Sequence, residues 1–177
     1  MCVEVVCEFE LLVPVGVGLK WVKKTDRWIA AEALEESYKA VVSAFYEALS
    51  ARDADKIHRI LAPDLEWWFH GPPSHQFLMR LLTGDLLDFE FHPHSIAAAF
   101  GNIVLVEGFD HLRSIAWVHA WTVTDHGIIT QVREYFNTDL TVTRIGTNAN
   151  ALHCPSVWES SLPGRVGKSV PGVVLAI

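Results

Sequence analysis

The hydrophobic period of this chain changes part-way along its length, and that change limits the folds open to it. Between residues 28 and 50, Leu34, Tyr38, Val41, Val42, Phe45 and Leu49 recur at steps of three and four, so they share one face of a helix. From residue 87 onward the pattern is that of strands, expected at 87–92, 95–100, 103–109, 114–124 and 128–138. Turn signals separate them at Pro93, Gly101-Asn102, Asp110-His111 and Asp125-His126-Gly127. Helices first and strands afterwards argue an α+β domain rather than alternating βαβ units.

Shorter elements lie between. A second helix is expected over 54–61, capped by Asp53 and stopped by Pro63. A strand over 65–70 carries Trp67, Trp68 and Phe69 and ends at Gly71-Pro72-Pro73. Ser74 is then expected to cap a third helix over 75–83, closed by Gly84. The α+β domain so defined spans residues 28–145. Residues 1–27 form an N-terminal arm, in which Val3, Val5 and Cys7 alternate as in a short strand before Pro14, Gly16 and Gly18 break the pattern. Residues 146–177 form an irregular tail. Its Val157, Trp158, Val166, Val170, Val173, Val174 and Leu175 are too many apolar side chains for a free tail, so it is expected to lie across the domain or a partner subunit.

Composition removes several classes of function. The net charge is -7 and the one basic cluster is Lys20, Lys23 and Lys24, a poor match to the phosphate backbone of nucleic acid. Cys2, Cys7 and Cys154 are odd in number and lack CxxC spacing, as in a protein of a reducing compartment. Glu4, Glu8 and Glu10 disfavour a secretory signal. No run reaches the roughly 18 apolar residues of a membrane span. The expected location is cytoplasmic or nucleocytoplasmic, with no membrane partner.

The chemistry is concentrated in the last two strands. One face of 114–124 carries Ile115, Trp117, His119, Trp121 and Val123, and one face of 128–138 carries Ile128, Thr130, Val132, Glu134 and Phe136. A two- or four-residue loop around His126-Gly127 pairs Trp117 with Phe136, His119 with Glu134, and Trp121 with Val132. A three-residue loop puts His119 opposite Arg133. Burial favours the first register, which joins the two bulky apolar faces. His119 and Glu134 are then an acid/base candidate inside an aromatic wall. The plainer reading is a buried polar pair that satisfies itself. Trp67 and Phe69 are expected to face inward and Glu66, Trp68 and His70 outward. His75, at a helix start, reaches either a pocket mouth or solvent. The nine histidines show neither HExxH nor Cys/His spacing, so neither metal nor cofactor is expected.

Several blocks of sequence carry a family likeness. Leu61-Ala62-Pro63-Asp64-Leu65-Glu66-Trp67-Trp68-Phe69-His70-Gly71-Pro72-Pro73-Ser74-His75 resembles the wound-induced, senescence-associated proteins of plants, as do the stretches 117–124, 129–138 and 154–162. The likeness runs from about residue 38 to the end of the chain and is absent from residues 1–24. That family is similar to the nuclear-transport-factor-2-like superfamily, with its SnoaL-like cyclases, ketosteroid isomerases and limonene-epoxide hydrolases. The resemblance implies a cone of three helices on a strongly curved antiparallel sheet, with a pocket between them, in a wounding, stress or senescence setting.

Because one scaffold serves many functions, three expectations stand. The first is binding of a small apolar molecule in a pocket formed by Trp67, Phe69, Trp117, Trp121, Val132, Phe136 and His75. The second is a cofactor-free isomerase, cyclase or hydrolase using His119 and Glu134. The third is a dimeric interaction module whose pocket is filled. Epoxide-hydrolysing relatives use an Arg-x-Asp pair; the nearest match, Gly108-Phe109-Asp110, lacks the arginine, which puts that chemistry in doubt. Gln131, Arg133, Tyr135 and Asn137 on the opposite sheet face suit subunit packing, and relatives commonly dimerise there, so a homodimer is expected.

Overall fold

The computed structural model describes residues 10–15, 18–85, 88–98, 101–138, 140–143, 156–161 and 173–176. The alternating Val3–Cys7 segment lies outside them. An antiparallel hairpin of β1 (Glu10–Val15) and β2 (Gly18–Lys23) leads directly into α1 (Lys24–Ala51). The helix thus starts four residues before the expected start at residue 28. It buries Tyr38, Val42, Phe45, Tyr46 and Ala48, one face at helical spacing. Arg52, with φ 55, turns the chain out of the helix. Asp53 then caps α2 (Ala54–Ile60), its carboxylate accepting from the Lys56 N–H at 2.9 Å. β3 (Leu61–His70) follows, then a 3-10 turn at Pro73–His75 and α3 (Phe77–Leu82).

Two local expectations need correction. Ser74 does not cap α3: it lies inside the 3-10 turn, and the cap position falls to Gln76, which makes no side-chain capping bond. Pro73 at the start of that turn has its φ already set for it, so the chain coils there before the α-helix begins. The strand expected over 87–92 does not form among residues 88–92. Phe89 and Phe91 are buried and Asp88, Glu90 and His92 exposed, so the alternation is real. What is missing is a partner. β4 (Pro93–Ala98) is the edge strand, Pro93 already pairs with Gly108, and β5 (Ile103–Asp110) ends two residues later.

The main sheet has the order β3-β7-β6-β5-β4, with β6 (Ile115–Val123) and β7 (Ile129–Phe136) at its centre. Its pairings are antiparallel except for one edge, where β3 runs parallel to β7. The expectation of a wholly antiparallel sheet is corrected there. β3 is joined to β7 only through α3 and three intervening strands, so no hairpin dictates its direction. Register shifts at Leu61/Glu66, Pro93/Ser95 and Thr122/Val123 bend the sheet over the helices. Trp117 pairs with Phe136, His119 with Glu134 and Trp121 with Val132, the register that joins the two bulky faces.

The sheet buries both sides. Its inner face packs Trp117, Trp121, Val132 and Phe136 against Phe45, Phe77 and Leu78 of the helices. Its outer face is covered by a second sheet of order β10-β8-β9, from β8 (Leu140–Thr143), β9 (Ser156–Glu159) and β10 (Val173–Ala176). Leu140, Val142 and Leu175 of that sheet pack on Leu105, Val118, Ala120 and Tyr135. Buried Glu107 on β5 ties down the end of β9: its carboxylate accepts from the Ser160 hydroxyl at 3.1 Å, the Ser161 N–H at 3.0 Å and the Ser161 hydroxyl. The face expected to meet a second subunit is therefore covered at its centre by the chain's own second sheet. Gln131 and Arg133 stay half-buried, and Trp68 on β3 is 55% exposed.

Candidate functional site

His119 and Glu134 meet where β6 and β7 cross the middle of the inner core. Both side chains are fully buried, with Nε2 of His119 3.2 Å from Oε1 of Glu134. Two more elements complete the group. Tyr46 of α1 places its hydroxyl 2.6 Å from His119 Nδ1 and receives the Trp121 indole N–H at 3.1 Å. Trp67 of β3 donates its indole N–H to Glu134 Oε2 at 3.0 Å.

The protons of this chain can be assigned by counting. Trp121 can only donate, so Tyr46 accepts from it, and the arrangement that gives the Tyr46 proton an acceptor has it donating to the unprotonated Nδ1 of a neutral His119. That leaves the imidazole proton on Nε2, pointing at Glu134, which also accepts from Trp67. Every donor then has an acceptor, as a buried polar network requires. Burial pushes the Tyr46 phenol well above its ordinary range, the Trp121 hydrogen bond draws it part-way back, and the Glu134 carboxylate raises it further. The hydroxyl therefore keeps the proton the network needs. Around the group, Tyr46 stacks on His119 with the rings 8° from parallel, and Trp117 and Phe91 lie 4.8 and 4.9 Å from the imidazole.

Tyr46 and the polar role of Trp67 were not anticipated from sequence. A signal existed for the first. Tyr46 lies four residues after buried Val42, and a tyrosine on a buried helix face needs a partner for its hydroxyl. Which partner it meets depends on how α1 lies across the sheet.

The other expected pocket residues are dispersed through the core. Trp121, Val132 and Phe136 are completely buried and Trp117 nearly so. Trp67 and Phe69 face inward, half-buried against the core, with Phe69 6.0 Å from Phe136. His75 stacks on Phe77 at 5.4 Å, and its Nδ1 is buried without a hydrogen-bond partner among the described residues. None of them lines either of two cavities bordered by Phe91. A cavity of about 310 Å³ sits between the end of α1, α2, α3 and the 89–91 segment, with Leu49, Ile57, Leu61, Leu81, Leu82, Phe89 and Phe91 as its apolar walls and Arg52, His58 and Glu90 among its polar ones. A more open cleft of about 550 Å³ adjoins it, sharing Ser50 and Phe91 and reaching Tyr46. Among the described residues no cluster of three or more His, Cys, Asp or Glu is placed to hold a metal ion, and no helix is long and apolar enough to cross a membrane.

Two histidines outside the pair give the fold an acid-sensitive edge. Burial lowers both His70 and His75, and the Arg133 charge lowers His70 further. Both are thus neutral in the folded protein where the unfolded chain, at its ordinary 6.5, takes up protons. Stability should be full above that value and fall as the pH drops through it toward the depressed folded values. Thermal unfolding between about pH 7.5 and pH 5 should show the midpoint falling on acidification, with a flatter slope in the His70→Asn/His75→Asn variant. A midpoint that rises, or a slope unchanged in the variant, would contradict the assignment.

Helices α1–α3 packed on a bent sheet, with a polar chain sealed between them, make this an α+β protein of helix-on-sheet architecture. The chain belongs to the wound-induced protein WI12 family, whose model matches residues 79–177. It is 64% identical over 107 residues to wound-induced protein 1 of Solanum tuberosum, covering 56% of this chain and 100% of that protein. It is 54% identical over 112 residues to the senescence associated gene 20 product of Arabidopsis thaliana, again covering 56% of this chain and 100% of the relative. Among solved structures it is similar to a nuclear-transport-factor-2-like protein from Burkholderia xenovorans, at 25% identity and a TM-score of 0.43, covering 57% of this chain and 89% of that one. The matched family segment contains His119 and Glu134, whereas Tyr46 and Trp67 precede it.

Proposed function

We propose that this member of the wound-induced family holds a small apolar molecule in the cavity beside α2 and α3. The observation that carries the reading is the cavity itself. Its volume of about 310 Å³ lies at the lower end of the roughly 300–1,000 Å³ of ligand sites. Its walls are mainly leucine, isoleucine and phenylalanine, with a few polar groups at hand to orient a ligand. A saturable fluorescence titration with the apolar dye N-phenyl-1-naphthylamine tests it. Leu49→Trp, which fills the space, should weaken dye binding by about tenfold or more while circular dichroism stays unchanged. No saturable binding, or equal binding by the folded variant, would sink the proposal.

A second reading, cofactor-free acid/base catalysis, has one observation in its favour. His119, Glu134 and Tyr46 form a connected proton path with the imidazole held by a carboxylate. It ranks second because His119 and Glu134 are fully buried, so a substrate would first have to open the core. Substrate-dependent solvent-proton exchange lost in His119→Gln would move it to first place; its absence with every binding compound would end it.

A further inference from the structure

We infer that the molecule held in the cavity carries one hydrogen-bond donor, a hydroxyl or acid O–H, on an otherwise apolar body, and that this donor docks on the Tyr46 oxygen once Phe91 turns aside. The inference rests on the cavity reading above and adds the chemical class of the ligand.

Phe91 is the wall between two cavities and the buried polar chain. It lines the apolar cavity and the adjoining cleft, and on its far side its ring lies 4.9 Å from His119 and 5.0 Å from Trp117. It belongs to residues 88–92, which are in neither a strand nor a helix and are tied by Arg113 to the carbonyl and carboxylate of Asp88, so the Phe91 ring itself is held by packing. Behind it, Tyr46 already reaches the cleft wall. Turning this one side chain therefore joins the apolar cavity to the buried polar chain.

The class of ligand follows from the valences left over. Every proton in the chain has an acceptor: Trp121 to Tyr46, Tyr46 to His119, His119 to Glu134 and Trp67 to Glu134. Tyr46 accepts one hydrogen bond, from Trp121, and the second lone pair of its oxygen, which is spread into the ring and is the weaker acceptor, is unused. A carboxylate has about four acceptor positions, and Glu134 uses two. The unfilled positions are all acceptors. A ligand carbonyl or ether brings another acceptor and finds no proton to share. An O–H finds the free lone pair of Tyr46, in a site whose fixed carboxylate favours an approaching donor.

A matched pair of probes tests this: 2-naphthol, which has the donor, and 2-methoxynaphthalene, which has the same body without it. In the wild type 2-naphthol should bind about tenfold tighter, the size of one buried hydrogen bond. It should also shift the His119 ring resonances. Tyr46→Phe should abolish the preference, and Phe91→Ala should enlarge it by removing the partition. Equal affinities, a preference for the ether, a preference that survives in folded Tyr46→Phe, or His119 resonances unmoved by bound 2-naphthol would each overturn the inference. Should Tyr46→Phe not fold, the wild-type resonances and the Phe91→Ala affinities decide. Equal binding of both probes that is still blocked by Leu49→Trp leaves the cavity reading standing and removes only the donor. Binding of neither removes both.

Discussion

Gly108→Ala should lose about 3 kcal/mol of folding stability, the upper part of the range for overpacking a filled core. Gly108 sits on β5 between Pro93 of β4 and Trp117 of β6. A Cβ built on it would lie 2.1 and 2.4 Å from two atoms of the Trp117 indole and 2.6 Å from the His92 carbonyl oxygen. Neither neighbour can yield cheaply. The indole is wedged among Tyr46, Phe91 and His119, and the carbonyl is backbone at the start of β4. Urea denaturation measures the loss. Trp117→Leu in the same chain should recover part of it, because the close atoms belong to the ring. A single Gly108→Ala variant within about 1 kcal/mol of wild type would mean that the indole does not cover this glycine.

The second large effect is at Glu134. Glu134→Ala removes both acceptors at once and leaves the Trp67 and His119 donors facing a void, so a loss of about 3–5 kcal/mol is expected. Glu134→Gln is more informative. A glutamine side chain offers one oxygen and two N–H donors. If its oxygen keeps Trp67, its amide nitrogen faces His119 Nε2, which must then become an acceptor. The imidazole proton moves to Nδ1 and points at Tyr46, which now accepts twice and has no acceptor for its own proton. In the reverse orientation the amide confronts the Trp67 N–H. Either way one buried donor is orphaned, at about 1–3 kcal/mol. Long-range proton–nitrogen NMR spectra should place the His119 proton on Nε2 in the wild type; in Glu134→Gln it moves to Nδ1 in the first orientation and stays on Nε2 in the reverse one. A wild-type Nδ1–H form would refute the proton assignment.

His119 and Glu134 could be brought together on paper because three local facts agree. Strand residues alternate, the two faces of 114–124 and 128–138 differ sharply in bulk, and a slip of one residue would turn Trp117 and Trp121 to the wrong side. The same kind of local chemistry placed α2 after Asp53 and ended it before Pro63. Ser74 shows where such reasoning stops. A good capping residue was present, and the prolines before it set a different conformation first.

What the sequence determined by itself is therefore the set of sides: which residues of each element turn inward, the α+β order, and the pairing of the central hairpin. Each follows from periodicity within a dozen or so neighbouring residues. The tertiary structure decided which inward sides meet. Tyr46 on α1 and Trp67 on β3 are 73 and 67 residues from His119 and Glu134, the groups they bond. Phe89 and Phe91 keep strand alternation without a strand because β5 ends beside them. The tail that read as irregular supplies two strands of the second sheet, on either side of β8, because β5–β7 offer that sheet an apolar outer face and buried Glu107 holds the tail's serines. The cavity lies beside α2 and α3, away from Trp117 and Trp121, because those large side chains fill the centre between helices and sheet while the shorter leucines and isoleucines beside α2 and α3 do not fill theirs.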